Sequence, residues 1–383
     1  MTAPGVDWRS VVDAAVWHRL APLVYRGLVA SGGLNSVLTP EADRLKALYV
    51  QNMLWHARRA AELEEVLLAF AEEGVGAMLL KGAALIGRVY ENPAERQMAD
   101  IDLLVREERI ADANRILRQR EFGPPLDPDD VDRLRREHAV LPELSRGSLT
   151  LDVHTHLARK GSILDFDTAG LWARAQEGTW RSAPCLRPAS EDLLVHVCLH
   201  SVKQGVYSGH TLAHLVDVAA IVERFGSTLD WDLIAGDAAA HGYGPGVALV
   251  VEAAGAIFGQ MPDGEAMRVL APDGVDQRLV QRFIAHRALR APWWASLERV
   301  SVASHPLRQL LPPSRIAIRR EGARSAYGTW VRAAAQAARR PSEIREAHAL
   351  YQSLYLLARR PGEPGPWRQR VARGVWRRSA GAA

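Results

Sequence analysis

Hydrophobic residues recur every three or four positions along the first part of the chain, and this spacing predicts helices. Residues 7–30 carry Val, Trp, Leu and Ala at helical spacing, and the pattern breaks at "SGGLNS". Residues 39–73 predict one long helix, with Thr39 as N-cap, Pro40 at the first helical position and a glycine directly after the end. Residues 1–75 are therefore predicted to form an N-terminal helical region.

The hydrophobic pattern changes its period in the middle of the chain. Short apolar or alternating runs predict four strands, and "SRGS" between the last two predicts a hairpin. The predicted strands cover residues 77–81, 100–105, 138–144 and 149–157. An apolar helix follows the first strand, and an amphipathic helix follows the second. This alternation predicts a small α/β core over residues 76–160.

Helical spacing returns after about residue 160, and everything beyond that point is predicted to be helical. The predicted helices cover residues 190–205, 211–226, 230–244 and 245–259. We expect a C-terminal helical domain over 161–312 and a basic, partly disordered tail over 313–383. The predicted fold class is α+β: a small mixed β-sheet core between N-terminal helices and an all-helical C-terminal domain.

Composition places the chain among soluble globular proteins, with 48% hydrophobic and 24% charged residues. Only two cysteines occur, which argues against a disulfide scaffold or a cysteine zinc site and fits a reducing compartment. The N-terminus has no signal-peptide pattern, and no run approaches the roughly 20 apolar residues that a membrane span needs. These features predict a cytoplasmic protein without a transmembrane segment.

The charge is distributed unevenly along the chain. Residues 314–383 hold 15 Arg and 4 Glu, a net charge of +11, although the whole chain carries only +4. Trp367, Val371, Val375 and Trp376 form an apolar stripe among these arginines. The tail could bind an acidic partner, a nucleic acid backbone or an anionic membrane surface, or it could be a solvated end.

Two carboxylates, Asp100 and Asp102, begin the strand "DIDLLV". Residues i and i+2 of a strand point to the same face, so both side chains project together and repel each other unless a cation lies between them. Mg²⁺ binds such hard oxygen ligands and completes its shell with water and substrate phosphates. Asp152, in "LDVHTHL", is the candidate third acid, whose strand face also carries His154 and His156. It would bind the metal or deprotonate an acceptor hydroxyl.

Phosphate-binding groups are predicted close to this acid pair. Lys81 and Gly82 lie at a strand-to-helix junction, where free backbone N–H groups and the helix dipole favour phosphate. Arg96, four residues before Asp100, could reach the same phosphates with its planar guanidinium. The acids and these cations together predict a nucleoside triphosphate bound with two Mg²⁺ or Mn²⁺ ions.

Histidines recur at i, i+4 on two predicted helices: His196 with His200, and His210 with His214. This spacing is that of a metal site, although histidines of buried helices also bond to backbone or carboxylates. A second interpretation places these helices at the border of the nucleotide cleft, where His200 or Lys203 would contact phosphate or base.

The quoted motifs together resemble the polymerase-β-like nucleotidyltransferase superfamily, and within it a bacterial family of uncharacterised nucleotidyltransferases. The matching residues are "LLKG" (79–82), Arg96, "ADIDLLV" (99–105) and "LDVHTHL" (151–157), within a similarity over about residues 10–260. The resemblance implies metal binding by Asp100, Asp102 and Asp152. One departure is that the wider superfamily has Gly-Gly or Gly-Ser where this chain has "KGA".

The sequence and the resemblance thus predict a Mg²⁺-dependent nucleotidyltransferase that moves a nucleoside monophosphate, with AMP expected first, from an NTP to a hydroxyl-bearing acceptor. The acceptor stays open between a small metabolite, a peptide natural product, a protein and tRNA. Two alternatives remain at this point. One is a non-catalytic, antitoxin-like nucleotide-binding module, and the other is a phosphotransferase that uses the same metal site.

Overall fold

A computed structural model describes residues 6–123, 143–157, 166–207, 212–259, 262 and 264–284. The predicted basic tail over 313–383 therefore lies outside the described residues. Within these ranges, no helix combines the length and the apolar character that crossing a membrane requires.

The N-terminal region is helical, as the sequence predicted. It consists of α1 (Trp8–Trp17), α2 (Ala21–Ala30) and α3 (Thr39–Glu72), followed by Gly74 in the left-handed conformation. The predicted cap is wrong by one residue, because Thr39 is the first helical residue and Leu38 precedes it without a side-chain capping bond. A small apolar cluster joins α1 and α2 to the first half of α3.

The described strands form one mixed sheet in the order β3-β4-β2-β1-β6-β5. The pairs β2–β4 and β1–β6 are parallel, and the other neighbouring pairs are antiparallel. The strands are β1 (Ala77–Leu79), β2 (Ile101–Val105), β3 (Leu144–Arg146), β4 (Leu149–His154), β5 (Gln176–Trp180) and β6 (Ala183–Arg187). The predicted mixed sheet and the hairpin around residue 147 are confirmed.

The expectation that the chain is helical everywhere after residue 160 is wrong for residues 176–187. This segment forms the hairpin β5–β6, and β6 extends the sheet by pairing in parallel with β1. The pattern gave little strand signal, because β5 is mostly exposed and carries a glycine, while a proline lies within β6. The sheet therefore includes strands from Ala77 to Arg187, beyond the predicted end of the α/β core at residue 160. The division into four domains stays a prediction.

Helices cover the sheet and extend the core beyond it. The remaining helices are α4 (Lys81–Leu85), α5 (Ile110–Gln119), α6 (Thr168–Ala173), α7 (Ser190–Tyr207), α8 (Leu212–Phe225), α9 (Trp231–His241), α10 (Gly244–Phe258), α11 (Gly264–Leu270) and α12 (Gln277–Ile284). The second half of α3 packs against β4, β5 and β6. Helices α7, α8 and α10 pack against one another within the same hydrophobic core.

The sheet brings three separated segments to one edge. Because β1 and β2 are antiparallel, the end of β1 lies beside the start of β2, and the backbone N–H of Leu80 donates to the carbonyl of Asp102 at 3.0 Å. The parallel register of β2 and β4 pairs Asp102 with Asp152. The residues after β1, at the start of β2 and along β4 therefore meet, although they are far apart in the sequence.

Candidate active site

Two acids and a histidine lie together on the shared face of β2 and β4. Asp102 and Asp152 are direct neighbours in the parallel register, and His154 follows two residues later on the same face. One ligand atom from each of these residues lies within 4.8 Å of the other two, so the group could hold a metal ion. Asp100 is not in that group, although it lies just before β2 and is half-buried.

Asp102 is the most enclosed of the acids, with 4% of its surface exposed. Its Oδ1 atom accepts hydrogen bonds from the ammonium of Lys81 and from Nε2 of His154, the latter at 2.9 Å. Burial by itself raises the pKa of Asp102, but the Lys81 charge and the His154 bond outweigh it and hold this pKa well below its ordinary value. Asp102 is therefore a permanently charged carboxylate.

The other two acids have the opposite shift. Burial, followed by the negative charge of Asp102, raises the pKa of Asp152 to about 6. The same two causes raise the pKa of Asp100 above its ordinary value. The three acids thus form a crowded anionic cluster whose negative charge Lys81 offsets only in part.

Lys81 is held in an uncommon backbone conformation. Its φ is +45°, a left-handed value that a residue with a side chain rarely adopts and that costs about 1–2 kcal/mol. Burial lowers the pKa of Lys81, but the charge of Asp102 more than compensates and raises it above its usual value. The strained turn after β1 therefore holds a charged ammonium over the acids.

Gly82 leaves room for a neighbouring side chain. A Cβ atom added at Gly82 would lie 2.4 Å from Sδ and 2.8 Å from Cγ of Met98, closer than packed atoms allow. Met98 is buried and stands two residues before Asp100. Gly82 thus allows the segment before β2 to pack against α4, while its predicted contact with phosphate stays a prediction.

The guanidinium of Arg96 forms a double hydrogen bond with the carboxylate of Asp217 on α8. Its Nε and Nη2 atoms each donate to the carboxylate of Asp217 at 2.7 Å, and Tyr90 donates its hydroxyl to the same carboxylate at 2.7 Å. The Arg96 carbonyl is 2.8 Å from Nε2 of His56. Arg96 therefore fixes the segment before β2 to α8, and its predicted contact with phosphate stays a prediction.

The second predicted cluster lies on α7 and α8. The rings of His200 and His214 meet edge to face with their centroids 5.0 Å apart, and His196 is buried next to His200. His210 and the side chain of Lys203 lie outside the described residues. Within the described ranges, the only set of three potential ligands close enough to hold a metal ion is Asp102, Asp152 and His154. The histidine metal site and the nucleotide contact of His200 or Lys203 stay predictions.

Two participants were missed at the level of sequence. His154 was noted on the face of Asp152 without a role, and the structure pairs it with Asp102 rather than with the acid on its own strand. Asp217 has no predicted role in the sequence, whereas in the structure it binds Arg96. The i+2 spacing in "DVH" was a usable signal for His154, but no local pattern connects residues 96 and 217.

The chain belongs to a protein family described as uncharacterised nucleotidyltransferase, whose model matches residues 4–259. The match includes all the strands of the sheet and every residue of the acid cluster. No curated protein and no solved structure matches the chain significantly. Family membership and the acid cluster together support nucleotidyl transfer as the general activity.

Proposed function

We propose that this protein is a Mg²⁺- or Mn²⁺-dependent nucleotidyltransferase that transfers a nucleoside monophosphate from an NTP to a hydroxyl group and releases pyrophosphate. ATP is the donor that we propose first. The observation that carries the proposal is the parallel register of Asp102 and Asp152, which sets two carboxylates side by side with Asp100 just ahead of them. A structural role alone does not explain three acids sharing one partly buried surface.

The residues of the cluster suit a divalent cation of the hard type. Asp102 and Asp152 supply carboxylate oxygens, which Mg²⁺ and Mn²⁺ prefer, and we assign them as metal ligands together with Asp100. His154 already contacts Oδ1 of Asp102 and is better suited to orient that carboxylate than to bind Mg²⁺ itself. When bound, the cation supplies positive charge beside the phosphates during the displacement.

In the proposed reaction, the acceptor oxygen attacks the α-phosphorus, and the bond from this phosphorus to the oxygen that bridges the β-phosphate breaks. The electron pair of that bond leaves with pyrophosphate. Asp152, the neighbour of Asp102 in the parallel register of β2 and β4, takes the proton of the acceptor hydroxyl. Lys81, whose ammonium pairs with Asp102 in the protein alone, offers its charge to the phosphates.

We propose a cytoplasmic location and leave the acceptor class open among metabolite, peptide, protein and tRNA hydroxyls. The two cysteines, Cys185 and Cys198, support this location, because both are buried free thiols, as is usual in a reducing compartment.

The proposed function is tested by ³¹P NMR of the full chain with Mg²⁺, each common NTP and acceptor fractions from a cell lysate. Pyrophosphate that forms with the wild type but not with Asp102→Asn supports nucleotidyl transfer. Asp112→Asn is the matched control, because Asp112 is a half-buried acid on α5, and its ion pairs among the described residues are with Arg109 and Arg115. Formation of a nucleoside diphosphate would show phosphoryl transfer instead, and NTP binding without turnover would favour the binding module.

A further inference from the structure

Arg19 occupies a fixed position in the turn between α1 and α2. Its φ is +57°, so it is one of four left-handed residues with a side chain among the described residues, and its N–H donates to the Val16 carbonyl at 3.1 Å. The next N–H, that of Leu20, donates to the Ala15 carbonyl at 2.7 Å. A residue other than glycine adopts this conformation at a cost, and the two hydrogen bonds that close the end of α1 hold Arg19 in it.

Two contacts place this turn against the segments that flank the acid cluster. On one side of Arg19, Nδ1 of the buried His18 accepts from the backbone N–H of Leu212, the first residue of α8. On the other side, Nε of Arg26 donates to Glu95 at 3.2 Å, next to Arg96 in the segment that leads into β2. The turn therefore lies over the junction of α8 with the residues before Asp100.

The Arg19 side chain belongs to the turn that packs beside the segment before Asp100, and the acids do not bind it. Its side chain is half-buried, and burial, followed by the positive charge of Arg96, lowers its pKa, while the charge of Asp100 acts in the opposite direction. Within the described part of the chain it forms no hydrogen bond or ion pair through its side chain. Arg96, in contrast, has both carboxylate oxygens of Asp217 as partners.

We propose that Arg19 is the arginine that binds the β- and γ-phosphates of the nucleotide, and that Arg96 positions the segment before Asp100 through Asp217. This inference rests on the proposed function. A guanidinium held partly out of water near another cation is stabilised by an anion, and its planar set of N–H donors matches phosphate oxygens in pairs. In this proposal, a triphosphate whose α-phosphate lies at the acids extends towards this turn.

The test is isothermal titration of the full chain with MgATP and with inorganic tripolyphosphate, and Mn²⁺ binding measured by electron paramagnetic resonance. The variant is Arg19→Asn, because asparagine adopts a positive φ more readily than other residues and so preserves the turn. Arg9→Asn is the matched control, since Arg9 lies on α1 with 80% of its side chain exposed and a long 3.8 Å contact to Glu41.

We expect Arg19→Asn to raise the Kd of both MgATP and tripolyphosphate about tenfold or more, with Mn²⁺ binding unchanged and Arg9→Asn like the wild type. Arg19→Lys should recover part of the loss, because it keeps the charge but not the paired donors. Arg19→Lys also tests the inference if Arg19→Asn fails to fold. Wild-type affinity of Arg19→Lys for MgATP would contradict a contact that needs the paired N–H donors of the guanidinium.

Two results would overturn the inference, and they differ in what else they remove. If Arg19→Asn binds MgATP and tripolyphosphate with the same Kd values as the wild type, the role of Arg19 is refuted and the proposed function remains. A wild-type protein that binds neither Mn²⁺ nor MgATP would remove the proposed function, and the role of Arg19 with it.

Discussion

The ammonium of Lys81 and the Nε2 atom of His154 share a single acceptor, Oδ1 of Asp102. In the protein alone, Lys81 therefore occupies a position beside the same oxygen that a divalent cation would use. The two cations compete for Asp102, and a bound metal would release the Lys81 side chain towards the phosphates of a substrate.

The first prediction concerns this competition. Lys81→Met should bind Mn²⁺ alone about threefold to tenfold more tightly at pH near 8, because the acids lose their internal counter-charge. The same variant should bind MgATP more weakly. Electron paramagnetic resonance of Mn²⁺ and calorimetry with MgATP measure both effects, and Lys46→Met, an exposed lysine of α3, is the control. Weaker Mn²⁺ binding by Lys81→Met would contradict competition.

The second prediction concerns the buried ion pair between Arg96 and Asp217. Asp217→Ala should lower the free energy of unfolding by about 3–5 kcal/mol, because it leaves a buried guanidinium without its partner. Urea unfolding followed by circular dichroism measures the loss. Asp13→Ala is the control, since it removes an exposed partner of Arg44 and should change little. Similar losses for both variants would show that burial does not govern the contribution of the pair.

The third prediction concerns the close contact at Gly82. Gly82→Ala should destabilise the fold by about 1–3 kcal/mol, because the added Cβ would overlap with Met98 and shift the segment that leads to Asp100. Gly236→Ala, at an exposed helical glycine with no atom near the added carbon, should stabilise by about 0.5–1 kcal/mol. Thermal unfolding compares the two.

A double variant separates the overlap from other effects of the same substitution. Combining Gly82→Ala with Met98→Ala should cost less than the sum of the two single variants, since the smaller side chain removes the overlap. Strict additivity would show that the contact between Gly82 and Met98 is not the cause.

The fourth prediction concerns the pH dependence that Asp152 confers on stability. Its pKa rises from an unfolded value of 3.8 to about 6 in the fold, so the folded protein binds more protons between these values and stability falls as pH rises through them. Asp152→Asn should therefore stabilise the metal-free protein by about 1–2 kcal/mol at pH near 8 and much less at pH near 4. Urea unfolding in chelator at both pH values measures this. An equal gain at both would exclude the titration of Asp152 as the cause.

The strands of the site were predictable because their signals are local. The runs around 77–81, 100–105 and 149–157 combine apolar or alternating residues with polar ends, and the i+2 rule placed Asp152 and His154 correctly on one face of β4. Asp100 lies just before β2, so its expected place beside Asp102 stays a prediction. The hairpin β5–β6 was missed because it contributes few buried side chains, and its place is set by the pairing with β1.

The partners within the site were less predictable, because they depend on contacts across the fold. Arg96 has a suitable side chain for phosphate and a suitable distance from Asp100 in the sequence, yet Asp217 binds it from a helix of the second half of the chain. The approach of Arg19 depends on how α1 and α2 pack, which no local pattern encodes. Spacing rules find residues on one element and do not find those that tertiary packing adds.

The contact between Arg96 and Asp217 spans 121 residues, and this separation has a consequence for the protein during its synthesis. At about 5–20 residues per second, a ribosome would add Asp217 roughly 6–24 seconds after Arg96. Throughout that interval the nascent chain holds Asp100 and Asp102 without the helix that anchors the segment in front of them. The growing polypeptide is therefore expected to lack a fixed approach to the acid cluster until the second half of the chain has been translated.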